Sequence, residues 1–165
     1  MNVSIDFFMD TITHLIAELR NPIIKKRRAA AKQLGKSASP SAIQPLISAL
    51  YDSHSGVRCE VVQALGRLGD SAAITGLIAS LADKDIAVRE AAIAAIGKIK
   101  DRDAVCPLIL CLDDKDTTIR IGAAEVLGKL GDSRAIEPLK KLVSDPFADV
   151  RETAGEAIHK LQKRI

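Results

Sequence analysis

Val57-Arg58-Cys59-Glu60-Val61-Val62-Gln63-Ala64-Leu65-Gly66 decides the reading of this chain, because the phrase returns downstream. It recurs as Val88-Arg89 … Ala95-Ile96-Gly97, as Ile119-Arg120 … Val126-Leu127-Gly128, and as Val150-Arg151 … Ala157-Ile158 with His159 where glycine is expected. Arg58, Arg89, Arg120 and Arg151 are spaced 31 residues apart, and Arg27 extends the ladder one step towards the N-terminus. A fixed period of this size is the mark of a solenoid, in which one supersecondary unit is stacked on copies of itself.

Outward from that phrase, each unit offers two helical segments. The first carries apolar residues at i, i+3, i+4 and i+7, as in Ile43, Leu46, Ile47 and Leu50, and so presents one helical face. Ile12, Leu15, Ile16 and Leu19 stand 31 residues earlier, so the register reaches the N-terminal stretch. The expected organisation is a single array of five repeats at about 10–40, 41–71, 72–102, 103–133 and 134–165, with residues 1–9 as an N-terminal cap containing Phe7 and Phe8. Ser39, Asp70, Asp101 and Asp132 precede the first helices and can accept hydrogen bonds from their open amides. Pro45, Pro107 and Pro138 share one deeper position and are expected to kink the first helix. Gly35, Gly66, Gly97 and Gly128 are expected to reduce bulk near the end of the second helix and to help terminate it.

Composition narrows the class. Nearly half of the 165 residues are apolar, yet there is no Trp and one Tyr, so small aliphatics dominate as closely spaced helices require. A formal charge of +3 is too mild to argue for nucleic acid by itself. Three cysteines, an odd number without framework spacing, read as reduced thiols. Asp6, Asp10 and Glu18 interrupt the N-terminal apolar residues, which fits neither a signal peptide nor a membrane span. A cytoplasmic protein with no membrane partner is expected.

The combined pattern, Ala42-Ile43-x-Pro45-Leu46-Ile47-x-x-Leu50, then Asp52 before Val57-Arg58, then Ala64-Leu65-Gly66, resembles the HEAT-like repeats named after the phycobilisome lyases, over about Asp10 to Gln162. The resemblance implies an all-α, right-handed α-solenoid of five helix pairs. It also implies that the proline-bearing helices line the convex side and the arginine-bearing helices the concave side. Asp52, Asp83, Asp114 and Asp145 would then pair with the ladder arginines between neighbouring repeats. For function it is broad, because the family includes lyases, hydroxylases and plain adaptors.

Catalytic chemistry finds little support. His14, His54 and His159 form no His-Glu pair, and the HEAT-like deoxyhypusine hydroxylases that this fold resembles carry such pairs as iron ligands. Cys106 and Cys111 lie five apart on one segment, about 140° around a helix, and read as packing or surface thiols. Cys59 has no His neighbour in the register. No catalytic residue, metal or cofactor is expected.

The informative surface is the concave one, where residues change from repeat to repeat. The candidate partner-binding set is Cys59, Glu60, Gln63 and Arg67; Ile86, Ala87, Glu90, Ala91, Ala94 and Lys98; and Ile121, Gly122, Glu125 and Lys129. Ile86, Ala87, Ala91, Ala94, Ile121 and Gly122 would form an apolar floor bordered by Glu60, Glu90 and Glu125. Lys36, Arg67, Lys98, Lys129 and Lys160 recur at helix C-termini, where cations complement the dipole; a basic rim steering an acidic partner is the alternative. The first inward helix is wholly basic (Lys25 to Arg28, Lys32, Lys36) and the last repeat offers Asp145, Asp149, Glu152 and Glu156, a polarity that could orient an elongated partner or promote head-to-tail contacts. The expected function is a non-enzymatic scaffold or adaptor that binds another protein on its concave face. One alternative, carried by the resemblance, is a phycobilin lyase-like subunit or a chaperone for a chromophore protein. The other is nucleic-acid binding, which the basic first helix favours and the absent stacking aromatics and mid-groove glutamates oppose.

Overall fold

The computed structural model describes residues 3–163, with the backbone alone for residues 3–10. Of the cap expected at residues 1–9, residues 3–9 begin the first helix and residues 1 and 2 lie outside the described residues. Ten helices follow one another: α1 (Val3–Glu18), α2 (Ile24–Leu34), α3 (Ile43–Ala49), α4 (Ser55–Leu68), α5 (Ile74–Ser80), α6 (Ile86–Ile99), α7 (Val105–Leu110), α8 (Thr117–Leu130), α9 (Ile136–Lys141) and α10 (Ala148–Gln162). No strand occurs among the described residues. Successive pairs stack into an α-solenoid whose core is one continuous column of residues 31 apart. Leu34, Leu65, Ile96 and Leu127 form one file of it and Leu46, Leu77, Leu108 and Leu139 another, all fully buried.

The start of each first helix departs from the sequence expectation. A short 3-10 turn (Pro40–Ala42, Ser71–Ala73, Arg102–Ala104, Ser133–Ala135) leads into α3, α5, α7 and α9. The α-helix proper begins only two residues before the shared proline. Pro45, Pro107 and Pro138 thus occupy the third position, where an amide would have no intrahelical partner, and need not kink anything. The aspartates upstream cap as expected: Asp70, Asp101 and Asp132 accept from Ala72, Asp103 and Arg134 N–H at 2.8, 2.9 and 3.0 Å. Ser39 does not cap; its hydroxyl pairs with that of Ser41 at 2.8 Å.

Of the two tasks expected of the recurring glycines, the reduction of bulk is met at all four, whereas only Gly35, the C-cap of α2, stands at a helix end. Gly66, Gly97 and Gly128 lie inside α4, α6 and α8, and left-handed residues just beyond (Gly69 at φ 70°, Lys100 at φ 60°, Gly131 at φ 74°) end those helices. What the glycines provide is proximity to the next repeat. A Cβ on Gly35 would fall 2.6 Å from the Ala64 Cα, and one on Gly66 would fall 2.7 Å from the Ala95 Cβ. Gly97 meets Val126 and Gly128 meets Ala157 in the same way. The arginine-bearing helices α2, α4, α6, α8 and α10 therefore pack directly on one another along this seam. The shorter helices meet the next repeat chiefly through its 3-10 turn. A stack that is tight on one side and loose on the other bends towards the tight side. That makes the arginine-bearing helices the inner face.

The arginine ladder ties the repeats together. Arg58 Nε and Nη2 donate to both carboxylate oxygens of Asp83 at 2.7 and 2.8 Å, while Nη1 donates to the Asp52 carbonyl at 2.9 Å. Arg27 engages Asp52 and Arg120 engages Asp145 through the same atoms. Each arginine thus staples the turn of its own repeat and grips the aspartate of the next, in the bidentate form that makes such pairs strong. Arg89 is looser: its Nε lies 3.1 Å from Asp114 Oδ2 but off the hydrogen-bonding line, and Nη2 also donates to Asp116. Arg120 in turn lies 5.8 Å from the Phe147 ring centroid, a cation–π contact in place of that second carboxylate.

Acid sensitivity follows from the ladder. The Arg58 hydrogen bond holds Asp83 below the usual carboxylate range, and Arg120 does the same for Asp145. A carboxylate depressed on folding stabilises above its unfolded value of about 3.9 and loses that contribution as pH falls through the folded value. Thermal melts should therefore be flat from pH 7 to about 5 and fall steeply below about 4. Asp83→Asn should flatten the acid limb, and an unchanged limb would remove the ladder from the explanation.

The two ends of the stack differ from its interior. Val57, Val88, Ile119 and Val150 are buried against the preceding repeat, but the equivalent first-repeat residue is the exposed Lys26. At the far end Lys140 replaces Ile47, Ile78 and Ile109, and His159 replaces the seam glycine; both are exposed. Polar outer faces of this kind keep a solenoid from stacking on other molecules.

Candidate concave binding groove

The inner face is built by α4, α6 and α8, whose seam residues set how deep it can be. Because Gly66 and Gly97 let the helices approach closely, the space between them is shallow and floored by small side chains. Two adjoining recesses of about 420 Å³ each result. Cys59, Gln63, Arg67, Ala87, Glu90, Ala91, Ala94 and Lys98 line the one between α4 and α6. Glu90, Ala94, Lys98, Gly122, Glu125 and Lys129 line the one between α6 and α8. Glu90, Ala94 and Lys98 form the shared wall. The structure thus gathers eleven of the fourteen sequence-chosen residues into one groove.

The other three sit elsewhere. Glu60 is half-buried beside Arg67, 3.5 Å from its Nη1. Ile86, 39 % exposed, stands at the start of α6 outside both recesses. Ile121 is half-buried and packs against the core, so the fold does ask for an apolar residue there. Sequence reasoning missed Gly66, Gly97 and Val126 as groove residues because their periodicity gave them a purely structural reading. Their pairing across a 29-residue offset (Gly66–Ala95, Gly97–Val126) was the available signal.

Polar side chains in the groove are held by local contacts. Arg67 Nη2 donates to Gln63 at 3.3 Å and Gln63 donates to Cys59 Sγ at 3.5 Å. Lys129 pairs with Glu125 at 3.4 Å on an exposed helix face, a contact worth a few tenths of a kcal/mol at most. Lys98 makes no ion pair among the described residues. Burial raises the Cys59 thiol and pushes Cys111 up to about 11, so neither is a ready thiolate. Cys106 is exposed and apart from both. Among the described residues no cluster of three His, Cys, Asp or Glu could hold a metal ion, and no helix is long and apolar enough to cross a membrane.

A larger recess of about 600 Å³ opens on the outer side, around Tyr51, Arg27 and Asp52. Its counterpart at the next junction is walled by Arg58 and Asp83. Both are formed by ladder rungs and recur with the repeat, so they are a by-product of stacking.

Helix pairs at a fixed period, joined by an arginine–aspartate ladder and curved around a groove of variable residues, define a HEAT-type α-solenoid. The chain belongs to the HEAT repeat family, whose model matches residues 12–85 and 74–159. Among solved structures it is similar to the complex of CpcE and CpcF of phycocyanin lyase from Nostoc sp. PCC7120, with a TM-score of 0.81 and 29% identity over 92% of this chain. The chain spans 65% of the length of that relative. An engineered protein gives a TM-score of 0.69 at 19% identity over 93% of this chain and 80% of its own. A designed armadillo repeat protein in complex with the peptide (KR)4 gives 0.68 at 21% identity, covering 93% and 87% of the two chains. The last two show the fold alone. No curated protein matches the chain.

Proposed function

We propose that this protein is a non-enzymatic scaffold that seats a segment of a partner protein in its concave groove. The observation that carries the reading is the floor of the two recesses. Ala91, Ala94 and Gly122 keep it low, while Arg67, Lys98 and Lys129 on one border and Glu90 and Glu125 on the other offer charges of both signs. A concave, partly apolar surface with a polar border is a common form of contact site. Support also comes from the relative at 29% identity, in which CpcE is complexed with CpcF.

The test is a substitution in the shared wall. Ala94→Glu should leave the melting temperature within a degree or two, because Ala94 is exposed. Capture of the native partner from its lysate should weaken by about 30-fold, the effect of losing a central contact of about 2 kcal/mol. Ile86→Asp should do less. Ile121→Asp is unsuitable because its core packing would confound the readout. A folded Ala94→Glu protein that captures its partner undiminished would overturn the reading.

The likeness to a phycocyanin lyase complex favours one second reading, that the chain is a subunit handling a chromophore. Mixing the protein with a linear tetrapyrrole and following its absorbance separates the two. A shifted, stoichiometric band supports the second reading, and an unchanged spectrum leaves the scaffold.

A further inference from the structure

The inner face has an electrical direction. On α2 and just past its end the register positions hold four cations, Lys25, Arg28, Lys32 and Lys36, and α2 has no acid. On α10 the positions of the first three are taken by Asp149, Glu152 and Glu156, with Lys160 at the fourth. Between them, α6 and α8 each carry one acid and one base at these positions, Glu90 with Lys98 and Glu125 with Lys129, while α4 carries Arg67, paired with Glu60 one place off the register at 3.5 Å. The charge of the groove thus runs from basic, through neutral, to acidic.

Helix stability accounts for Lys32 and Lys36, at the C-terminal end of α2, but not for the cations that precede them. Lys25 stands in the first turn of α2, where the helix dipole favours an acid, and that turn has no acid and no side-chain cap. Lys25, Arg28 and Lys32 are exposed and form no ion pair among the described residues. At the acidic end only Glu156 is engaged, by the exposed Lys160 at 3.1 Å, a pair that water largely screens.

Resting on the scaffold reading, we infer that the groove binds a bipolar protein segment, acidic where it crosses α2, small and neutral over α6 and α8, and basic where it reaches α10. Four inter-helix steps of about 8–10 Å give a track of roughly 35 Å, which ten or eleven extended residues span. Complementary charges at both ends fix the direction of the segment and reject uniformly charged ones, since either uniform peptide meets repulsion at one end.

The probe is a labelled peptide of about twelve residues with an acidic block, an alanine-leucine centre and a basic block. All-acidic and all-basic peptides of the same length are its controls, measured by anisotropy at low and at physiological salt. The bipolar peptide is expected to bind at least tenfold tighter than either control and to weaken with salt. Lys25→Glu with Arg28→Glu and Lys32→Glu, or Glu152→Lys with Glu156→Lys, should each weaken it at least tenfold. All five together reverse the sign of both ends and should restore it, because the peptide then docks the other way round. These side chains are exposed, so the melting temperature should hold in every variant. A control peptide binding as tightly as the bipolar one, absence of binding, or failure of the fivefold variant to restore it would overturn the inference. Self-association abolished by either end reversal would assign the polarity to a second copy of the chain and equally overturn it. Binding lost in Ala94→Glu but indifferent to the ends would leave the scaffold reading and remove the polarity. The converse would keep the polarity and remove the groove floor.

Discussion

Arg58→Ala is expected to destabilise the protein by about 3 kcal/mol, whereas Arg151→Ala should cost less than about 0.5 kcal/mol. The two residues occupy the same place in the repeat, so the difference isolates what the ladder contributes. Arg58 is 7 % exposed, holds both oxygens of Asp83 and donates to the Asp52 carbonyl. Its removal strands a partly buried carboxylate and a turn carbonyl together, which costs far more than the net value of the contacts. Arg151 is exposed and donates only to the carbonyls of Asp145 and Pro146. For a chain of this size the Arg58 loss corresponds to a fall of about 6–12 °C in melting temperature. Equal, small effects of both substitutions would show that the ladder does not hold the stack together.

The seam supplies a test in which one change, glycine to alanine, reverses sign with position. Gly35→Ala should destabilise by about 2 kcal/mol. The new methyl would fall 2.6 Å from the Ala64 Cα, and backbone cannot step aside as a flexible side chain would, so α2 and α4 must separate. Gly35 is the C-cap of α2, where alanine brings less than the gain of up to about 1 kcal/mol it brings to a helix interior, so the clash decides the sign. Gly155→Ala meets nothing within 4 Å and keeps the whole gain, so the protein should become more stable by about 0.5–1 kcal/mol. Chemical denaturation of both variants checks the prediction, and two changes of the same sign would contradict it.

These positions also show how far the sequence could be read. The period and the paired helices were legible because each leaves a mark at a constant spacing, whereas the partnership of each arginine with the next repeat's aspartate came from the resemblance to HEAT-like repeats. Periodicity says which residues turn inward but not which neighbour they touch. The seam glycines were therefore legible as low in bulk and wrongly read, except at Gly35, as helix ends; which neighbours they admit, Ala64, Ala95, Val126 and Ala157, was not legible. Ile121 was placed in the binding floor because its position varies between repeats, with Cys59 and Glu152 as equivalents, yet in its own repeat it packs on the core. Ser39 looked like a cap because serine often is one, but Ser41 competes for its hydroxyl. Eleven groove residues followed from register alone because every second helix presents the same face. The depth of the groove did not, since it depends on how closely the helices approach.

The arginine rungs and the glycine seam share a property with consequences for how such a molecule changes over time. Each internal unit presents the same pair of edges: an aspartate and a small residue towards its predecessor, an arginine and a glycine towards its successor. Asp83 and Ala95 receive Arg58 and Gly66, while Arg89 and Gly97 of that same unit reach forward to Asp114 and Val126. An internal unit is consequently an interchangeable part, and its duplication creates no junction that the molecule does not already contain. Gene duplication could thus lengthen this protein from the middle, while its polar end units are inherited unchanged. Every added unit would set the basic and acidic ends one helix further apart, so the length of the preferred partner would evolve separately from its polarity.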